Sequence, residues 1–272
     1  MGAMFARTAR SVYGAIAFAV FLTVMVIVCG LIISGPTLAI RRAIGRAGIR
    51  CAFASIGCPI RVQGLEFLPA QPAIVVSNHA SYLDGLVMTA ALPARFTFLV
   101  QSGAAGWPLV GITIRRMGVR FVNRGSPREA AAAMKDLIDR AQKGESFTIF
   151  AEGTFKRPPG LLAFQSGAFL IAAKSGLPIV PTVICGTRKI LPEDARLFTR
   201  ATVQVRVLPA LMTQGQARDA AARLRDAART AILAHCGEPD AAHAEARDTH
   251  LRAARLQELH RATHILGGGF AE

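Results

Sequence analysis

A histidine and an aspartate stand five residues apart in the run Ser77-Asn78-His79-Ala80-Ser81-Tyr82-Leu83-Asp84. His79 is the only histidine in the first 234 residues; His235, His243, His250, His260 and His264 all fall in the last 38. An imidazole gains and loses a proton near neutral pH, and a carboxylate behind it holds one tautomer, the pairing that general-base attack by a hydroxyl requires. On one straight helix five residues turn about 500°, leaving the two side chains roughly 140° apart. They meet only if His79 lies on the loop before a helix and Asp84 in its first turns. The flanking sequence allows this. Pro72 to Val76 reads as a short buried strand, Ser77, Asn78 and Ser81 offer turn and capping chemistry, and Leu83 to Leu92 reads as an apolar helix.

Three further blocks lie downstream. Phe147-Thr148-Ile149-Phe150-Ala151-Glu152-Gly153-Thr154 is a β-type run ending in a carboxylate and a glycine. That places an anion and backbone N–H groups at a strand's C-terminal end, where ligands of open α/β sheets bind. Gly118-Val119-Arg120-Phe121-Val122-Asn123-Arg124 is an alternating strand ending in a cation, and Gly176-Leu177-Pro178-Ile179-Val180-Pro181-Thr182-Val183 enters a strand through a proline-fixed turn. Phe121 and Phe150 read as core packing.

In order and spacing these four blocks resemble the glycerolipid acyltransferase family, nearest to the 1-acyl-glycerol-3-phosphate (lysophosphatidic acid) acyltransferases. Asn78, His79 and Asp84 match its first motif, and Gly118, Phe121 and Arg124 its second. Phe150, Glu152, Gly153 and Thr154 match the third, and Pro178 to Val183 the fourth. Gly186-Thr187-Arg188 also looks like the family, and the resemblance covers about residues 65–210. It implies a mixed α/β sheet flanked by helices, with His79 and Asp84 catalytic and Arg124, Glu152, Gly153 and Thr154 binding the acceptor. It also implies acyl transfer from acyl-CoA or an acyl carrier protein to the 2-hydroxyl of a lysophospholipid, giving phosphatidic acid. The donor is a co-substrate, and no cofactor or metal is called for. Two departures stand out. Ala151 replaces the third-motif proline, and Phe155 replaces an arginine that helps hold the acceptor phosphate. Lys156 or Arg157 are the nearest substitutes, so another acceptor stays open: glycerol-3-phosphate, another lysophospholipid or a lyso-aminolipid. A non-catalytic membrane-binding protein of the same fold is the third reading.

Ser11 to Ile40 carries no charge, and Gly14 to Ile33 spans about 30 Å as a helix, enough for a bilayer core. It is too long for the apolar core of a typical signal peptide, and no small-residue cleavage site follows. The run leaves open whether it crosses the bilayer or folds back near Gly35-Pro36. Arg42, Arg46 and Arg50 then form a helical stripe, expected to touch anionic headgroups. Arg7 and Arg10 flank the other end, so charge asymmetry only mildly favours a cytoplasmic body at a bacterial-type inner membrane. The 272-residue chain carries a net charge of +15, which suits phosphate-bearing substrates, membrane lipids and an acidic carrier. At 52% hydrophobic and without a nucleic-acid-binding motif, it does not read as a nucleic-acid partner. Five scattered cysteines, an odd count, read as reduced structural thiols.

Periodicity predicts strands near 60–64, 73–77, 96–100, 119–123, 147–151, 179–184 and 202–208, and helices near 83–92, 128–143, 165–175 and 216–236. The expected organisation is a membrane segment with a basic interfacial helix over 1–58, an acyltransferase domain over 59–236 and a C-terminal helical extension over 237–272.

Overall fold

The computed structural model describes residues 2–122, 127–154, 158–191, 197–213 and 217–242. Arg124, the positions 155–157 and the extension beyond residue 242 lie outside them.

A seven-stranded sheet forms the centre: β1 (Ile60–Gln63), β2 (Ile74–Ser77), β3 (Phe96–Gln101), β4 (Arg120–Val122), β5 (Ser146–Phe150), β6 (Ile179–Cys185) and β7 (Val203–Val207). The spatial order is β1-β7-β6-β2-β5-β3-β4. All neighbours run parallel except β6 and β7, which are antiparallel. The fold is therefore the expected mixed sheet flanked by helices. Strand β2 sits between β5 and β6 and is buried at every position. Its continuous apolar run is what a strand covered on both faces requires. Val75 enters one core with the helices α2 (Leu38–Ser55) and α3 (Asp84–Ala91). Ile74 and Val76 enter the other, with α5 (Pro127–Gln142), α6 (Gly167–Ser175) and α8 (Ala217–Cys236). The elements between these are α4 (Val110–Arg116) and α7 (Thr187–Ile190).

The N-terminal apolar run forms α1 (Gly2–Ser34), long and apolar enough to cross a membrane by length and composition. The chain reverses at Gly35-Pro36, where Arg41 donates to the Gly35 carbonyl at 2.7 Å and Thr37 caps α2. Helices α1 and α2 then pack antiparallel. Phe21 meets Phe53 edge-on at 5.4 Å, and Gly48 lies under Val28. In its first half, α1 is tied to the end of α2 by the Tyr13 hydroxyl, which donates to the Ile56 carbonyl at 2.6 Å.

The arginine stripe of α2 makes contacts with the body that helical spacing alone does not reveal. Arg46 and Arg50 donate to the Ala90 carbonyl at 3.3 and 2.8 Å, at the C-terminal end of α3. Arg42 donates to the carbonyls of Ala94 and Met117 and to the Thr97 hydroxyl. A helix end leaves its last carbonyls without intrahelical partners and carries partial negative charge, so cations dock there. The stripe thus caps the end of α3, with Arg50 still exposed to solvent.

Candidate active site

The predicted residues converge at the C-terminal ends of β2 and β5. His79 follows β2 on a loop, and Asp84 opens α3, the arrangement the spacing demanded. Nδ1 of His79 lies 3.0 Å from Oδ2 of Asp84, whose side chain is fully buried. The same oxygen accepts the backbone N–H groups of Ala80 and Ser81 at 2.6 and 2.8 Å. One carboxylate oxygen thus sets both the loop and the ring. With Nδ1–H donated to Asp84, Nε2 is the basic nitrogen. Asn78 locks the loop to β6, donating to the Ile184 carbonyl at 2.9 Å and accepting the Ile184 N–H at 2.8 Å. Phe150, expected only to fill core, also stacks on the imidazole, with centroids 4.2 Å apart and planes at 15°.

Glu152 is buried, and both its oxygens receive backbone hydrogens. The His79 N–H donates to Oε1 at 2.6 Å and the Leu162 N–H to Oε2 at 2.8 Å. Two N–H donors on two oxygens is the arrangement of an ionised carboxylate. Burial opposes that charge and pushes the carboxyl up to about 7, against the pull of the two N–H groups and His79. Glu152 therefore clamps the His79 loop to the 161–162 segment. Gly153 turns the chain at φ 72° and donates its N–H to the Phe150 carbonyl at 3.1 Å. Thr154 is exposed at the same turn.

A cavity of about 1670 Å³ opens beside His79. It exceeds the roughly 300–1,000 Å³ of small-molecule pockets and has room for a long aliphatic chain. His79, Phe150, Gly153 and Thr154 contribute to its wall, with Leu22 and Met25 of α1 and Trp107 of the segment before α4. Arg188 also lines it and forms a two-point ion pair with Glu238, at 3.0 and 3.1 Å. Among the described residues no cluster of His, Cys, Asp or Glu could hold a metal ion. The cysteines are free thiols, and burial raises the pKa of Cys185 and Cys236, which disfavours thiolate nucleophiles.

Residues 59–185 match the family model described as Acyltransferase. A chloroplast 1-acyl-sn-glycerol-3-phosphate acyltransferase of Arabidopsis thaliana is 38% identical over 138 residues, 50% of this chain and 38% of that protein. The alpha 1-acyl-sn-glycerol-3-phosphate acyltransferase of Homo sapiens is 32% identical over 179 residues, 65% of this chain and 63% of that one. The Borreliella burgdorferi 1-acyl-sn-glycerol-3-phosphate acyltransferase is 32% identical over 165 residues, 60% and 66% of the two chains. The chain carries an acyltransferase-family domain over residues 59–185. The chain thus spans between about two fifths and two thirds of the length of these curated relatives. The crystal structure of the 1-acyl-sn-glycerophosphate acyltransferase from Thermotoga maritima shares the fold, with a TM-score of 0.67 at 20% identity. The match covers 82% of this chain and 95% of that one.

The structure brings His79, Asp84, Glu152, Gly153 and Thr154 together at the C-terminal ends of the central strands β2 and β5. Arg124 and Phe155 lie outside the described residues. The Leu162 N–H and Glu238 were missed from sequence. A backbone amide carries no side-chain signature, and Glu238 sits 50 residues beyond its partner.

Proposed function

We propose that this chain moves a fatty acyl group from an acyl thioester, acyl-CoA or acyl carrier protein, to the 2-hydroxyl of 1-acyl-glycerol-3-phosphate, giving phosphatidic acid. The observation that carries the proposal is the 3.0 Å contact of His79 with a fully buried Asp84 beside a large apolar cavity. Relatives named for this activity support it. In the proposed step Nε2 of His79 takes the hydroxyl proton as the oxygen attacks the thioester carbonyl. Asp84 stabilises the imidazolium. The carbon–sulfur bond then breaks, and the departing thiolate receives the proton back from His79. No acyl-enzyme is formed. Glu152 positions His79 through its backbone, Arg124 binds the acceptor phosphate as a guanidinium suits, and Thr154 borders the acceptor.

The antiparallel hairpin of α1 and α2 supports a monotopic anchor for the 59–236 body, on the cytoplasmic face where both acyl donors reside. Helix α1 touches the body at Phe18, edge-on to Phe198 at 5.6 Å, and at the Ile33 carbonyl, which accepts from Arg116, while Ile16, Ile27 and Leu31 stay exposed.

The test is acyl transfer by the reconstituted chain, with lysophosphatidic acid offered beside other lysolipids and glycerol-3-phosphate. His79→Ala is expected to lose roughly 10²–10⁴ of the rate, the usual contribution of a positioned base. Turnover of lysophosphatidic acid that survives in His79→Ala removes the base from the mechanism. Turnover confined to another acceptor keeps the chemistry and moves the substrate, the outcome Phe155 in place of the family's arginine would favour.

A further inference from the structure

Trp107, Leu109, Val110 and Ile112 form an apolar tip exposed to solvent, with Trp107 54% and Ile112 53% exposed. Together they exceed the scattered single apolar residues normal on a soluble surface. The tip is rigidly built. At Gly111 an added Cβ would stand 2.3 Å from the Ala105 carbonyl oxygen, so α4 is pressed against the 102–106 turn that precedes it. Arg115 donates to that same carbonyl at 3.0 Å. Arg116 donates to the carbonyls of Ile33 and Gly35 at 2.7 and 3.1 Å. This fastens α4 to the last turn of α1, so the tip continues the exposed apolar surface of that helix. Leu22 and Val26, exposed on α1, and Trp107, Leu109 and Val110 border the same cavity. Both α1 and the tip therefore form part of the cavity's wall.

We propose that the 107–112 tip is a second membrane-inserted element, seated in the bilayer interface beside α1. The opening between them faces the leaflet, so lipid chains pass sideways between bilayer and cavity. The occupant is a lipid surface because the tip is continuous with the helix proposed as the anchor, on which the inference rests. A tryptophan suits the interface, where its ring is apolar and its N–H meets water, and Arg115 lies on the next turn for headgroup phosphates.

Trp107 is the only tryptophan in the chain, so its emission reports on the tip alone. The full chain would be reconstituted in mixed phosphatidylcholine–phosphatidylglycerol vesicles carrying lipids brominated at a shallow or a deep acyl position. Elements of this kind sit about 5–10 Å into the headgroup–acyl boundary, so shallow bromines should quench Trp107 more than deep ones. Ile112 does not line the cavity. Trp107→Phe combined with Ile112→Trp therefore separates bilayer contact from a lipid bound inside, and the same quenching is expected. Ile112→Asp should raise the KM for a vesicle-borne acceptor about tenfold, the worth of one buried isoleucine, with turnover of a water-soluble short-chain acceptor unchanged. Vesicle-bound, active protein in which neither tryptophan is quenched overturns the inference and leaves the proposed activity intact; a protein partner would then be the tip's remaining occupant. Failure to associate with vesicles at all overturns the inference and the anchor together.

Discussion

Glu152→Gln separates two roles for one carboxylate. If Glu152 contacts the acceptor, the variant binds acceptor poorly. If it clamps the His79 loop, the variant binds normally and turns over slowly. In the fold, burial raises the carboxyl from its ordinary 4.5 to about 7. A group raised in this way contributes stability that is fully present below 4.5 and is lost as pH rises through about 7. At about 1.4 kcal/mol for each pH unit, ionised Glu152 costs the fold about 3 kcal/mol relative to its protonated form. Glutamine does not titrate. Between pH 5 and pH 8 the native chain should therefore lose roughly 2–3 kcal/mol of unfolding free energy relative to Glu152→Gln. At roughly 2–4 °C per kcal/mol for a chain near this size, the gap in Tm moves by about 5–10 °C, readable in detergent by thermal unfolding at several pH values. Function moves the other way. The amide has one acceptor oxygen, so either the His79 or the Leu162 N–H faces an N–H₂ group. Losing one charge-assisted bond of about 1.5–3 kcal/mol should lower kcat by about 10- to 100-fold, with the acceptor KM within about twofold. A KM that rises while kcat holds, or a Tm difference flat from pH 5 to pH 8, would refute the clamp.

Asp84→Asn should reduce kcat by roughly 10³–10⁴-fold, because an amide neither stabilises the imidazolium nor fixes the tautomer; steady-state kinetics at saturating acceptor measures it, and a loss under tenfold would detach Asp84 from the chemistry. Gly48→Ala should destabilise the α1–α2 hairpin by about 1–3 kcal/mol, since the new methyl would stand 2.4 Å from a Val28 methyl. Val28→Ala in the same chain should restore most of the Tm, and no restoration means the two helices do not meet there. Gly103 borders the cavity with nothing within 4 Å of an added Cβ. Gly103→Leu should shift donor preference towards shorter chains in a competition of acyl-CoA lengths, and an unchanged preference removes that wall from the acyl path.

Much of the fold was legible because it is written in local pattern. The seven strands formed within a residue or two of their expected places, as did α3, α5, α6 and α8. Apolar runs bounded by Gly and Pro mark where a chain enters and leaves a buried strand. The His79–Asp84 pair was legible for the same reason: its geometry follows from one strand, one loop and one helix start. Helical spacing placed Arg42, Arg46 and Arg50 on one stripe but did not say what the stripe faced. That depended on where α3 ended, some 40 residues away, and the open carbonyls of Ala90 and Ala94 claimed them.

By itself the sequence determined the seven strands, most of the helices, the family and the pairing of His79 with Asp84, all of which depend on residues close in the chain. Tertiary structure alone decided the strand order, the antiparallel β7, the fold-back of α1 and the two backbone amides that hold Glu152. The physical reason is that these rest on contacts between distant segments, many through backbone groups that every residue shares. Such groups acquire a role only when the packed chain brings them within hydrogen-bonding distance.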